Sequence, residues 1–473
     1  MSYDIRYSTS TISDTTWGSA TKVTGEPKPA VAGIPQSMTV TGLAPETTYY
    51  FAIKTSDEMP NISDISNISS NSTQIIEGSA YYVSPDGSDS NDGSVDSPWA
   101  TIQYASDNSG PGDTVYLREG TYVQGASIRG DHGQGGANGQ FWTLEAYPGE
   151  EAVIKDNSVK IYMTEYVRVK GLTFENGSVG LNSYIKDGWT FPSHTEILDN
   201  KITGPQLRYN MIGVIGDDNL VEGNTIIITG GGDSLDHGIY VMSGSRNIIR
   251  NNYISGSKGY GIHIYDEVKQ GRSGQIRDVV VEGNILTGSA LSAGIIVATG
   301  NSNDPLAKNI TIRNNIIYSN ATRGISVRSN SQNVYIYNNT IYRNGEDGDG
   351  IRIAVCCGSL GSINGVTMKN NLIDIGSSTG YHIKVGTSVS VVSNLVLEKN
   401  LYWPGPPALK SITDISPVAG NPLFVSPGTA DFHFQFGSAA IDKGLTLTDV
   451  TTDREGITRP NGAAYDIGAY EYH

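Results

Sequence analysis

The sequence predicts an all-β chain dominated by a parallel β-helix, a solenoid of short stacked strands. Three observations predict it. The first is an asparagine followed by apolar residues. It recurs as Asn200-Lys-Ile, Asn224-Thr-Ile, Asn252-Tyr-Ile, Asn284-Ile-Leu, Asn315-Ile-Ile, Asn339-Thr-Ile, Asn371-Leu-Ile and Asn400-Leu-Tyr. The seven intervals from Asn200 to Asn400 give a mean period of roughly 29 residues, within the range of solenoid repeats. The second is a glycine that opens an apolar strand, as in Gly238-Ile-Tyr-Val, Gly261-Ile-His-Ile, Gly294-Ile-Ile-Val, Gly324-Ile-Ser-Val, Gly350-Ile-Arg-Ile and, less cleanly, Gly380-Tyr-His-Ile. The third is the period of two inside those strands. Ile239 and Val241 point one way and Tyr240 the other, whereas a helix needs apolar residues three and four apart. Two or three such strands make one coil. Coils stack at about 4.8 Å, and each buries its apolar row only against its neighbours, so the array is the folding unit. The recurring asparagine fits a ladder of side-chain amides inside a turn.

Taken in order, residues 1–75 read as antiparallel strands, with Tyr3-Asp-Ile-Arg-Tyr7 and Thr48-Tyr-Tyr-Phe-Ala-Ile-Lys54 alternating. The segment Gly42-Leu-Ala-Pro-Glu-Thr-Thr-Tyr-Tyr50 resembles the tyrosine-corner region of fibronectin type III domains. The resemblance implies a partial fibronectin type III-like sandwich. Its first strands are then expected before residue 1, in a longer precursor. Such a half-sandwich exposes apolar surface unless it packs on the next domain, and its expected role is spacing or carbohydrate display.

Residues 76–415 are expected to form the β-helix with an N-terminal cap. Its opening combines an acidic turn, Pro85-Asp-Gly-Ser-Asp-Ser-Asn-Asp-Gly93, a short helix within Pro98–Ser106 and a strand within Gly112–Tyr122. Together these resemble the N-terminal signature of secreted right-handed parallel β-helix proteins, notably polysaccharide lyases of the pectate, alginate and chondroitin type. The right hand also follows from the usual handedness of parallel crossovers. Residues 416–473 end in Asp466-Ile-Gly-Ala-Tyr-Glu-Tyr472, which resembles the module that closes many bacterial secreted β-helix proteins, and are expected to be a C-terminal cap. The resemblance implies a secreted bacterial or archaeal protein, acting as a monomer on a polysaccharide.

The formal net charge of −16 over 473 residues leaves no basic footprint for a nucleic acid. No apolar run reaches the length of a membrane span. The two cysteines, Cys356 and Cys357, are adjacent. They make no disulfide framework and are expected to be small residues at a turn. Calcium is the one cofactor the sequence leaves open: Asp86, Asp89 and Asp92 supply clustered oxygens of the kind hard cations prefer, although Asp-Gly-Ser turns are more often only turns.

Function on a β-helix comes from side chains pointing outward in columns. Aligning the glycine-anchored strands gives one column of Tyr240, His263, Ile296, Ser326, Arg352 and His382. A second holds Met242, Tyr265, Ala298, Arg328, Ala354 and Lys384. Outward positions of a β-helix are polar in any case, but such a concentration of basic and titratable groups on an acidic chain is not what a merely solvated face predicts, and points to a functional one. The stretch Gly230-Gly-Gly-Asp-Ser-Leu-Asp-His237 adds Asp233, Asp236 and His237. Tyr265-Asp-Glu267 adds Asp266 and opens a loop with Lys269 and Arg272. The Asp-His pair followed by Tyr-Asp one coil later resembles, loosely, the constellation of mannuronan C5-epimerases and related lyases. The epimerase motif's further Tyr and Pro are absent.

A uronate lyase must neutralise the sugar carboxylate, remove the adjacent proton and protonate the leaving oxygen. Arg328 and Arg352 suit a bidentate carboxylate clamp, His263 the base and Tyr265 the acid. Lys269 or Arg328 is the alternative base that the resemblance implies. Asp236, His237 and Asp266 complete the expected catalytic set, with Tyr240, Lys269, Arg323, His382 and Lys384 expected to bind substrate. A glycoside hydrolase would instead use two of Asp233, Asp236 and Asp266. A non-catalytic adhesin or carbohydrate-binding protein is the third reading. Asp347 and Asp349 are expected in a turn.

Overall fold

Three parallel sheets of 12, 12 and 11 strands run the length of the solenoid. Each complete coil supplies one strand to each sheet. In one coil these are Ile248–Arg250 in the first sheet, Tyr253–Ser255 in the second and Ile262–Asp266 in the third. The computed structural model describes residues 2–473 apart from 31–35, 39, 41–42, 44–46, 58–60, 73–77, 183–189, 207–209, 267–275, 300–306, 346–347, 356–360, 377–378 and 387–391, and apart from the side chains of residues 182, 206 and 266. The cysteine pair and four of the nine residues of the tyrosine-corner segment (42 and 44–46) therefore lie outside the described residues.

Period-two alternation puts one apolar column per sheet inside the coil. In the first sheet Ile197, Val221, Ile249, Val281, Ile312 and Ile336 are all fully buried. Each such burial contributes about 1.5–3 kcal/mol.

The corner between the first and second sheets carries the predicted ladder. Asn200 donates its backbone N–H and its Nδ2 to Oδ1 of Asn224, both at 3.0 Å. The pattern repeats through Asn252, Asn284, Asn315, Asn339 and Asn371 to Asn400. Asp414 terminates it, its Oδ2 accepting from Asn400 Nδ2 at 2.9 Å and from the Tyr402 hydroxyl at 2.7 Å. The residue before each ladder asparagine is left-handed. Asp199, Gly223, Asn251, Gly283, Asn314, Asn338, Asn370 and Lys399 have φ between +50° and +70°. That conformation favours Gly, Asn and Asp, which explains the doubled asparagines of the repeat. A shorter ladder, Asn320 to Asn344, lines the corner between the second and third sheets.

At the N-terminal end the helix Ile102–Asp107 buries Ile102 and Ala105 against the core, as the sequence predicts for a cap. Asp89 is committed to that helix. Its carboxylate accepts from the backbone N–H groups of Ala100 and Thr101 and from the Thr101 hydroxyl, each at 2.9 Å. Ahead of the solenoid, Ser2–Ser8, Thr21–Lys22, Thr48–Ser56 and Ser69–Ser72 form a four-stranded antiparallel sheet.

The C-terminal segment departs from the expectation of a cap over the open end. Val418–Ala419 still pairs with the second sheet, so the solenoid continues beyond residue 415. The rest packs along the outer flank of that sheet. Phe424, Phe432 and Phe434 lie against outward-facing Ile316, Tyr342, Leu372 and Leu401. Asn338 and Asn370 reach across to the carbonyls of Asp466 and Leu445 at 3.0 and 2.8 Å. Arg459, fully buried, pairs with Glu471 and donates to the Gly468 carbonyl at 2.9 Å. The reason is that the second sheet presents apolar residues on both faces over its last coils, and a flank of that kind must be covered.

The ladder is expected to be worth several times one hydrogen bond at each rung. Replacing Asn284 by Ala strands the Asn252 donors and the Ile249 carbonyl inside the corner. The expected loss is about 3 kcal/mol, read as a lower urea midpoint of unfolding.

Candidate functional site

The outer face of the third sheet brings together side chains from coils far apart in sequence. Strand register sets one outward column of Gly213, Tyr240, His263, Ile296, Ser326, Arg352, Lys384 and Lys410. The predicted column therefore holds through Arg352 and slips at the next coil. Ile383 pairs with Ile351, so Lys384, not His382, stands beside Arg352. His382 is fully buried; its Nδ1 accepts from the Ala408 N–H and its Nε2 bonds the Trp403 carbonyl, both at 3.0 Å. It is a satisfied core histidine, not a substrate ligand.

An aromatic and imidazole cluster forms one half of the face. The His263 ring stacks on Tyr240 at 4.6 Å and meets His237 edge-on at 4.1 Å, with Tyr260 and Tyr265 each at 5.0 Å. His263 is only 8% exposed, and its Nδ1 has no hydrogen-bond partner among the described residues. Burial, with His237 and Arg328 nearby, holds its pKa well below the usual histidine range. His237 is deeper still. Its Nδ1 accepts from the Tyr260 N–H at 3.1 Å, and burial pushes its pKa down to about 3.

Asp236 also takes a different place from the expected one. It is buried, and its Oδ2 accepts from the Asp233 N–H, closing the turn ahead of the strand. Asp233 in turn accepts from the Leu235 N–H at 2.7 Å. Both carboxylates hold this turn together. The Asp266 side chain and the whole of Lys269 and Arg272 lie outside the described residues.

The other half of the face is cationic. Arg6, Arg118, Arg129, Arg168, Arg246, Arg250, Arg313 and Arg459 each pair with a carboxylate. Arg328 donates to Ser326 Oγ at 3.2 Å. For Arg323 and Arg352 the buried Nε has no partner among the described residues. Burial and the charges of Arg352 and Arg328 lower the pKa of Arg323, with Asp349 opposing. Asp349, buried at the start of its strand, accepts from the Tyr381 N–H at 3.2 Å and lies 3.7 Å from Lys384 Nζ. It is the counter-charge of the patch rather than part of an exposed turn. Tyr260 and Arg343 were missed by reasoning from glycine-anchored strands, because both lie at corners; Tyr260 touches both histidines. Among the described residues no group of three or more His, Cys, Asp or Glu side chains is arranged to hold a metal. With Asp89 spent on the helix, Asp86, Asp89 and Asp92 do not fit a calcium ion.

Comparison with known proteins agrees with the coil architecture. A family model described as "Pel9A-like, right handed beta helix region" matches residues 81–277, and one described as "Right handed beta helix region" matches residues 306–396. This chain is a right-handed parallel β-helix protein. Pectate lyase Pel9A superposes on it with a TM-score of 0.59, over 84% of this chain and 98% of that one, at 19% identity. XylC in complex with xylose superposes with a TM-score of 0.50 over 83% and 98%, at 12% identity. In sequence, this chain is 42% identical over 73 residues to pectate lyase PEL9 of Emericella nidulans, covering 15% of this chain and 17% of that protein. It is 32% identical over 143 residues to the uncharacterized protein YwoF of Bacillus subtilis, covering 27% and 29%. The matches thus span less than a third of either curated relative.

His237 makes this face pH-sensitive. Its folded pKa, about 3, lies below that of an exposed histidine, so the unfolded chain binds more protons between those values. Stability is therefore full above about pH 6.5 and falls as pH drops toward 3. Urea titrations at neutral and mildly acidic pH are expected to show this slope. It should be shallower in His237→Asn, whose amide oxygen can still accept from the Tyr260 N–H.

Proposed function

We propose that this β-helix is a secreted, monomeric enzyme that cleaves an acidic polysaccharide by β-elimination at a uronate. The single observation that carries the reading is the set of guanidinium groups on the third sheet. Arg323 and Arg352 stand on the same face of a chain of net charge −16, each with a buried Nε that has no hydrogen-bond partner among the described residues, beside a buried neutral imidazole. Most arginines elsewhere among the described residues pair with a carboxylate, so these suit an anion from outside. A planar carboxylate matches their fork geometry. A polymer of that kind meets the enzyme outside the cell.

In this mechanism Arg352, with Arg323 or Arg328, neutralises the carboxylate and acidifies the proton on the adjacent carbon. His263 removes that proton. The electron pair left behind forms the new carbon–carbon double bond as the β carbon–oxygen bond breaks, and Tyr265 gives its proton to the leaving oxygen. Tyr240 and Lys384 flank the sugar. The relatives named as pectate lyases support the reaction class. The hydrolase reading is weaker because Asp233 and Asp236 share one hydrogen-bonded turn instead of facing each other across a groove.

A panel of polyuronates and neutral polysaccharides, with and without calcium, tests this. Ultraviolet absorbance from an unsaturated uronate is expected on one polyuronate, with kcat/KM falling at least about a hundredfold in His263→Ala and in Arg352→Ala. Reducing ends without absorbance would establish a hydrolase instead. Silence on both readouts would leave a carbohydrate-binding protein.

A further inference from the structure

A second basic cleft opens at the corner between the second and third sheets. It has a volume of about 680 Å³ and is lined by Ser319, Thr322, Arg323, Arg343, Gly345 and Gly348. Arg323 belongs to both places. It feels the charges of Arg328 and Arg352 on the face already described and forms one wall of this cleft. Arg343 forms the other wall, one coil further on, after the strand Thr340–Tyr342. Its guanidinium lies over the Tyr342 ring, 4.8 Å from the centroid, which holds an exposed side chain in place. Among the described residues neither Arg323 nor Arg343 pairs with a carboxylate. Asp374 lies near enough to feel the charge of Arg343, while burial raises its pKa and the Gly376 N–H donates a hydrogen bond to one of its oxygens.

Two glycines of the lining sit where the chain passes close to itself. A Cβ on Gly348 would collide with the carbonyl oxygens of Asn344 and Thr322, and one on Gly345 would crowd Gly348 and Thr322. Thr322 and Ser319 add hydroxyls of the kind that meet sugar hydroxyls. The cleft therefore joins two guanidinium groups that make no ion pair among the described residues, and polar walls, to the edge of the candidate site.

We propose that this cleft is a second carboxylate subsite, with Arg343 as its specificity-determining residue. It takes the acid group of a neighbouring sugar while the first is held at Arg352. The protein then prefers polymers with acids on neighbouring sugars over polymers in which single uronates are separated by neutral sugars. This rests on the uronate reading above.

The test compares binding by calorimetry in a His263→Asn background, so that oligomers are not consumed. The probes are the trimers of galacturonate, mannuronate and glucuronate, their methyl esters and the corresponding monouronates. At least one acidic trimer is expected to bind better than its ester. Adding Arg343→Gln is expected to weaken that trimer roughly tenfold, the size of one lost charge-assisted contact. Monouronate binding should stay unchanged, and Arg343→Lys should recover part of the loss. Equal trimer affinity with and without Arg343 overturns the subsite and leaves the uronate reading standing. Equal losses for trimer and monouronate also overturn it, since there would then be one site only. If no acidic trimer binds better than its ester, the uronate reading fails and the subsite with it. Arg343 is exposed, so the variants keep the fold, which their melting curves check.

Discussion

Side-chain amides stacked inside one corner of every coil set the register on which everything else in this solenoid depends. Each ladder asparagine spans to the next coil through two donors and back to the previous one through its amide. The chain between rungs varies from 24 to 32 residues, yet the rungs stay in line. Variation in length is therefore confined to the other corners and the loops. The outer face of the third sheet inherits this order, so residues from His237 to Lys384 meet across coils that local sequence does not connect. A buried amide chain of this kind is costly to leave incomplete, which is why it ends on a carboxylate, Asp414, rather than on an apolar side chain.

Two outer faces built on the same coils treat charge in opposite ways. On the first sheet Glu222 pairs with Arg250, Glu282 with Arg313 and Lys369 with Glu398. Exposed pairs such as these contribute little individually, but they leave no net field. On the third sheet the acids are withdrawn into a turn or to the strand start, and the arginines repel one another at close range. Keeping like charges together in a half-buried site costs free energy, which the proposed carboxylate ligand would offset.

Much of this was legible in the sequence, and the failures have physical causes. The repeat was legible because the left-handed corner residue and the ladder amide leave few residue choices. The outward column was legible as far as Arg352 because a glycine marks each strand. It failed at His382 because the next strand lacks that mark, and His382 is satisfied by Trp403 and Ala408, which the strand pattern did not align with it. The flank docking of the C-terminal segment left a signal that was not used. Early repeats place Lys201, Thr225 and Tyr253 after the ladder asparagine, whereas later ones place Ile285, Ile316, Leu372 and Leu401 there. An apolar residue at that outward position marks a face to be covered, and those coils are the ones the segment covers. The turn role of Asp236 was not legible, since it depends on a backbone donor three residues away.

In the reaction proposed above, the low pKa of His263 fits a base whose strength depends on the ligand. Burial, His237 and Arg328 hold the imidazole neutral in the free protein. Burial works against protonation whether or not a ligand is present, but the contribution of Arg328 does not. A carboxylate seated on the arginines cancels that repulsion and brings a negative charge close to the ring, so both changes raise the proton affinity of His263. The base is then weak while the face is empty and strengthens only when an anion occupies it. A neutral sugar in the same groove would leave it weak. The arginines thus select for charge twice, once in holding the ligand and again in setting the basicity of the group beside it.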